Sequence, residues 1–330
     1  MKKICVTGGA GMIGSCLTKE LSKLGYKVIV IDNLWRGKIK NISSIENFNK
    51  DEQFFNFDLS NIENEKKVIE QLKDCDILVH LADIVAGIDY VFNNEYDIFR
   101  INNNINSNTF EWATKAGVGK IIYAGTACSF PKDMQNGLDA VLKESDLFPA
   151  EPESGYGWSK LMGSLELTYL SKKHDFEFTT LMLHNVYGVN SDLDPEKMQV
   201  IPSLINRLME LKNGEKLVVW GSGQQGRAFI YVADIVNAFV KAIKAEEKLP
   251  PIIQIGPDYC TSIKELAETI IEISGKSVEI DFDLTKPEGD RGRYADYSLA
   301  QSVLGWEPKH LLKEGLALTY KWIKKEKNEI

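Results

Sequence analysis

Tyr156 and Lys160 stand four residues apart in Ser154-Gly-Tyr-Gly-Trp-Ser-Lys160, and the chain opens with Thr7-Gly-Gly-Ala-Gly-Met-Ile-Gly14. On a helix these two side chains share a face, where the Lys160 ammonium favours the ionised form of the Tyr156 phenol. A phenol of pKa ~10 then approaches the working range of a general base. The glycines carry a second chemistry. Gly8 and Gly11 permit a tight turn close to a pyrophosphate, and Gly14 lets the next helix lie near the sheet. Met12 and Ile13 open that helix, whose N-terminal amides face the anion. A base and a dinucleotide site together suggest redox chemistry on an alcohol. Alone, the Tyr-x-x-x-Lys spacing is more often an aromatic beside a solvated lysine.

The elements that must position these groups follow from hydrophobic periodicity. Ile4-Cys5-Val6 predicts a buried strand, residues 12–24 a helix, and residues 27–31 a second strand ending at Asp32 and Asn33. Asp32 lies roughly 20 residues after the glycines, where a carboxylate accepts the ribose hydroxyls of NAD and repels the 2′-phosphate of NADP. Arg36 reads as a solvated loop arginine, with a phosphate contact as the alternative. Strands over 53–57, 77–81 and 120–124 alternate with helices over 63–72 and 102–116. That alternation predicts an α/β fold with a doubly wound parallel sheet of Rossmann type. Asp58 and Leu59 follow the third strand, where Asp58 suits the adenine amino group or begins the next helix together with Asn61.

Beyond a strand over 178–183 the pattern becomes irregular, with helices over 202–212, 234–244, 262–274 and 311–325 and a short strand over 217–220. We therefore expect an NAD-binding domain over residues 1–186 and a smaller C-terminal α/β substrate-binding region over 187–330, with segments crossing back to the sheet.

The 330 residues suffice for about two domains or one large α/β unit. A net charge of −8 without a basic stripe argues against nucleic acid and anionic membrane as partners. Five scattered cysteines and four histidines form no metal-ligand spacing, so we expect no metal, reduced thiols and a cytoplasmic protein. The N-terminus reads as a first strand rather than a signal peptide. No stretch approaches the roughly 20 apolar residues that span a bilayer.

Further landmarks are Val79-His-Leu-Ala82, Tyr123-Ala-Gly-Thr-Ala-Cys128, Asn185-Val-Tyr-Gly188, Arg227-Ala-Phe-Ile-Tyr-Val-Ala-Asp234 and Leu304-Gly-Trp-Glu-Pro308. With the glycine turn and the Tyr-Lys pair, they make the chain resemble the extended short-chain dehydrogenase/reductases, the NAD-dependent epimerases and dehydratases of nucleotide sugars. The resemblance implies NAD as cofactor, with Leu81 and Ala82 among its contacts. It assigns Thr126 to the sugar oxygen, Tyr156 to proton transfer and Lys160 to the nicotinamide ribose. Arg227, Arg291 and Arg293 resemble the arginines that grip the substrate diphosphate, Asn185 adds a polar contact, and Trp220 resembles the residue beside the nucleotide base. His184 reads as a packed strand-end histidine that could alternatively titrate in the cleft.

Ala127-Cys128 replaces the Asp-Glu pair of the dehydratases, which disfavours loss of water. Thr126-Ala-Cys-Ser-Phe-Pro131, residues 142–152 and Glu288-Gly-Asp-Arg-Gly-Arg293 resemble the GDP-mannose 3,5-epimerases, in which the cysteine exchanges a carbon-bound proton. For Cys128 the alternative is a small residue packing the pocket floor. Lys197 is near the place of the partner acid/base and reaches it in a shifted alignment, while Met182 stands where relatives carry arginine. The resemblance implies a nucleotide-sugar epimerase working through a keto sugar, with a GDP-sugar favoured over UDP- or dTDP-sugars. A C4 dehydrogenase or reductase of the same fold and a non-catalytic NAD-binding scaffold are the alternatives. It also implies a homodimer through the helices near 102–116 and 156–172, with Leu161, Gly163 and Leu165 at the interface or in the chain's own core.

Overall fold

The computed structural model describes residues 2–286, 288–289 and 291–328. Its central sheet has seven parallel strands in the spatial order Ile252–Ile255, Glu177–Leu183, Lys120–Thr126, Ile77–His80, Lys3–Thr7, Lys27–Ile31 and Phe54–Phe55. The apolar runs are continuous because both faces are covered. Ile4, Val6, Val28, Val30, Val79 and Ile122 belong to one buried cluster, while Cys5, Ile29, Ile31, Leu78 and Ile121 belong to another. This is the two-residue alternation of a pleated strand. Helices Met12–Lys23 and Val232–Lys244 supply Leu17, Leu21 and Phe239 to the first layer, and Glu65–Leu72 and Glu95–Lys115 supply Val68, Leu72, Phe110 and Trp112 to the second.

From Lys3–Thr7 the chain builds outward to residues 27–31 and 54–55, then reverses to residues 77–80 and 120–126 on the other side. The reversal opens a crevice at the carboxyl ends of these strands, where ligands bind in doubly wound sheets. Gly8, Asp32 and Leu81 directly follow their strands, and Thr126 ends its own.

The structure departs from the periodicity in several places. The helix expected over 102–116 begins at Glu95, with Glu95 and Asp97 in a first turn that favours negative charge. Its asparagines are not breakers, because Asn102 and Asn106 are buried and hydrogen-bonded across the fold. The strand expected over 53–57 contracts to Phe54–Phe55, a sheet-edge pair matched on one side to Val30 and Ile31. Strand Asn136–Leu142, which has no alternating pattern, pairs in parallel with Gly292–Ala295.

Strand pairing joins distant parts of the chain. Ile252–Ile255 joins the sheet edge against Thr180–Leu183, and Asn185–Tyr187 pairs with Phe229–Tyr231 in the C-terminal region. Lys216–Trp220 and Glu279–Asp283 form another parallel pair beside helix Val200–Glu210. Asp290, within the Glu288 to Arg293 motif, lies outside the described residues.

Candidate active site

A cleft of about 580 Å³ runs along the crevice and is lined by residues of both regions. At one end is the glycine turn. Gly8 has a positive φ of 66°, and a Cβ there would lie 2.9 Å from the backbone of Leu81 and Ala82. At Gly14 a Cβ would lie 2.2 Å from Gly8 O, so only glycine lets helix Met12–Lys23 sit this close to the turn. Asp32 is buried beside it, where its carboxylate accepts hydrogen bonds from Ala10 N at 3.0 Å and Leu34 N at 2.7 Å. Burial raises its pKa against those two bonds, which lower it. The cradle, the helix start and the oriented carboxylate fit a dinucleotide. Gly11, Met12, Ile13, Asn33, Asp58, Leu59, Leu81 and Ala82 line the same wall. Asp58 also accepts from Ser60 N at 2.8 Å, so it starts the next turn while facing the cleft.

Arg36 is not the solvated residue that its loop position suggests. Its Nη1 donates to Val85 O at 2.7 Å, and its Nε lies 3.6 Å from Asp192. The guanidinium thus ties the loop after Asp32 to two other loops that border the cleft.

Tyr156 and Lys160 lie on helix Gly155–Leu170, which Ser154 caps by accepting from Gly157 N at 3.3 Å. A Cβ at Gly157 would lie 2.2 Å from Cys128 O, so glycine lets this helix dock on the turn after Thr126. That docking brings Thr126, Cys128, Tyr156 and Lys160 to one place on the cleft wall. Lys160 is 2% exposed. Its Nζ lies 2.9 Å from Asp83 Oδ2 and 4.7 Å from the centroid of the Tyr123 ring. Burial works against the ammonium, but Asp83 and Tyr123 outweigh it and raise its pKa.

The Tyr156 hydroxyl donates to Asp83 Oδ2 at 3.5 Å. Burial, followed by Asp83 and Cys128, holds the phenol well above its ordinary pKa, while a hydrogen bond with Thr126 works the other way. Behind Lys160, His80 bonds Thr7 at 2.7 Å and Asn106 at 3.1 Å, and burial with the neighbouring ammonium pushes it down to about 3. His80 is therefore a neutral structural group.

On the same cleft, Arg293 is 2% exposed and its Nη2 donates to Cys128 Sγ at 3.4 Å. Arg227, Asn185 and Trp220 also line the cleft. Two expected residues are placed elsewhere. Lys197 lies over the Trp35 ring at 4.9 Å and pairs with Asp194 at 3.4 Å, and its neighbours Met198 and Gln199 face the cleft instead. Arg291 is exposed, and its carbonyl accepts from Gly226 N, because the strand at Gly292 turns Arg293 inward. His184 lines the cleft but is buried against Gln254 at 3.0 Å, and burial pushes it down to about 4. Met182 packs in an apolar cluster with Phe130, Leu142 and Leu161.

Residues 4–256 match the NAD dependent epimerase/dehydratase family. The chain belongs to that family. Its dependence on NAD agrees with the glycine cradle and Asp32. It is 32% identical to the GDP-mannose 3,5-epimerase of Arabidopsis thaliana over 325 residues, 98% of this chain and 82% of that protein. It is also 32% identical to the putative UDP-glucose 4-epimerase of Methanocaldococcus jannaschii over 322 residues, covering 97% of this chain and 98% of that protein. Among solved structures, the UDP-glucose 4-epimerase of Thermotoga maritima with UDP-glucose superposes with a TM-score of 0.84 at 28% identity, covering 98% and 99% of the two chains.

Within this family member, the residue that sequence reading missed is Asp83. It directly follows Ala82, one residue beyond a landmark, at the carboxyl end of a parallel strand. That position was the available signal, since a carboxylate there faces the ligand crevice. Arg207 was missed as well. It lines the cleft from helix Val200–Glu210, with Nη1 donating to Val218 O at 2.6 Å. Among the described residues there is no cluster of metal-ligating side chains and no helix long and apolar enough to cross a membrane.

Proposed function

We propose that this NAD-dependent enzyme is a nucleotide-sugar epimerase that works through a transient keto sugar and prefers a GDP-sugar. The observation that carries the reading is the convergence of Thr126, Tyr156, Lys160 and Cys128 in the cleft that the glycine turn also lines. Bound NAD supplies an acceptor that takes a hydride from the sugar carbon and later returns it. Burial and Asp83 hold the Tyr156 phenol protonated in the cofactor-free site, so it would act as base only with the positive charge of bound oxidised NAD beside it, taking the proton of the C4 hydroxyl as the C–O bond becomes a carbonyl. Thr126 orients that oxygen, and Lys160 is held near Tyr156 by the Asp83 oxygen that both contact.

The ketone acidifies the hydrogens on the adjacent carbons. Cys128 then removes one from C3 or C5 as thiolate, and reprotonation on the other face inverts the centre before Tyr156 returns its proton. The hydrogen bond from Arg293 Nη2 to Cys128 Sγ at 3.4 Å supports this use of the thiol, since it holds the sulfur in place on the cleft wall. The preference for GDP rests on the Cys128 motif and on the similarity to a GDP-mannose 3,5-epimerase. A second reading, inversion at C4 alone with Cys128 as a packing residue, is favoured by the place of Lys197, which is engaged by Trp35 and Asp194.

Incubation with GDP- and UDP-sugars in deuterated water separates the two. Turnover of a GDP-sugar with deuterium at C3 or C5 supports the first reading. Inversion without solvent deuterium at either carbon supports the second, and turnover of UDP-sugars alone refutes the GDP preference.

We also infer a homodimer through helices Glu95–Lys115 and Gly155–Leu170. Tyr96, Phe99 and Tyr169 are exposed on them, whereas Leu161 and Gly163 face the chain's own core, Gly163 against Tyr123 and Asn106.

A further inference from the structure

Asp83 touches both members of the Tyr-Lys pair: Oδ2 lies 2.9 Å from Lys160 Nζ and 3.5 Å from Tyr156 OH. The side chains of Asp83 and Lys160 are 11% and 2% exposed, so solvent screens their interaction weakly. Asn102 fixes the loop behind Asp83, accepting from Ile84 N at 2.7 Å and donating to Ile84 O at 3.1 Å. The same asparagine bonds Ser159 on the catalytic helix at 3.3 Å, so the carboxylate and the pair are held in one frame.

The charges facing Tyr156 come from every element around it. Lys160 lies on its own helix, Asp83 follows strand Ile77–His80, and Tyr123 and Cys128 belong to strand Lys120–Thr126 and the turn beyond it. Arg36 reaches in from the loop after Asp32 but is paired with Asp192. Arg293 lies behind the Cys128 thiol, and His80 is neutral. Asp83 pairs with Lys160 against the phenol itself, whereas Asp192, shared by Arg36 and Lys38, lies beyond the Arg36 guanidinium.

We propose that Asp83 is a positioning residue that holds the Lys160 ammonium and cancels its charge, so that the protonation of Tyr156 follows the oxidation state of the nicotinamide. The inference rests on Tyr156 being the base. With oxidised cofactor, one added positive charge is balanced by the phenolate. With reduced cofactor that charge is gone, and the protonated phenol balances the site. The proton is therefore on Tyr156 when the hydride is on the cofactor, and both are available to return to the ketone. Lys160 without Asp83 would favour phenolate in both states.

The test is a pH titration of phenolate absorbance, with the Tyr156→Phe spectrum subtracted in each background and no sugar present. Asp83→Asn should move the Tyr156 transition down by about one to three pH units, the effect of one close charge. Because Asp83→Asn leaves a buried ammonium unpaired, Lys160→Met and the double variant Asp83→Asn/Lys160→Met form a second comparison without it. The transition should be higher in Lys160→Met than in the double variant. Wild-type protein loaded with NADH should ionise at higher pH than protein loaded with NAD.

An Asp83→Asn transition equal to wild type, equal transitions in Lys160→Met and the double variant, or equal transitions with NAD and NADH would each overturn the inference. Retained turnover in Tyr156→Phe would overturn instead the assignment of the base.

Discussion

Replacing Gly14 with alanine probes how the first helix and the glycine turn make the cofactor site. The added Cβ would lie 2.2 Å from Gly8 O and 2.6 Å from Gly9 Cα. Both atoms are backbone, so no side chain can swing aside. Carbon atoms in good contact are about 3.5–4.0 Å apart, and helix and turn must therefore separate by about 1 Å. Overpacking of this kind costs about 1–3 kcal/mol. The turn presents the amides that bind the pyrophosphate, so a comparable energy is lost when NAD needs the original geometry. At 1.4 kcal/mol per tenfold, NAD affinity should fall by about 5- to 140-fold. Calorimetric titration with NAD and denaturant unfolding of the cofactor-free protein measure the two effects. Gly119→Ala is the control, because its Cβ would meet nothing closer than Asp76 O at 3.8 Å and its φ is not positive. A Gly14→Ala protein with wild-type stability and NAD affinity would refute the close-packing account.

Tyr156→Phe should abolish ketone formation while NAD affinity and unfolding temperature stay near wild type, since only the phenolic oxygen leaves a ring that remains packed. Cys128→Ser should retain C4 oxidation but lose solvent exchange at C3 or C5, read by proton NMR in deuterated water. His80 and His184 are held neutral by burial down to about 3 and about 4, so they gain protons only on unfolding. Stability from them is full above the unfolded value of ~6.5 and is lost as pH falls toward the folded values, by up to about 1.4 kcal/mol per pH unit for each. Denaturant unfolding between about pH 7 and pH 5 should show this slope, and His184→Gln should reduce it. Light scattering at micromolar concentration should give twice the chain mass, and a monomer mass would count against the proposed helix pairing.

The turn from Thr7 to Gly14, Asp32, Tyr156 and Lys160 stood out in the sequence as candidates, and all of them line the cleft or its turn. Each is a short-range signal, in which a residue type stands at a fixed distance from a strand end or on one face of one helix. Continuous apolar runs likewise determined the parallel sheet, since only strands covered on both faces carry them. What the tertiary structure alone decided were the meetings between distant segments. Asp83 reaches Tyr156 across 73 residues, and Arg293 reaches Cys128 across 165. The second contact depends on Asn136–Leu142 pairing with Gly292–Ala295, a short and mostly solvent-facing strand with no periodic signal. Lys197 and Arg291 show the converse, for the backbone around them turns Met198, Gln199 and Arg293 to the cleft in their place. Spacing along a chain sets which side chains share a face. The loop paths and crossovers set which opposing charge that face meets, and hence whether the lysine beside Tyr156 acts as a free cation or as half of a neutral pair.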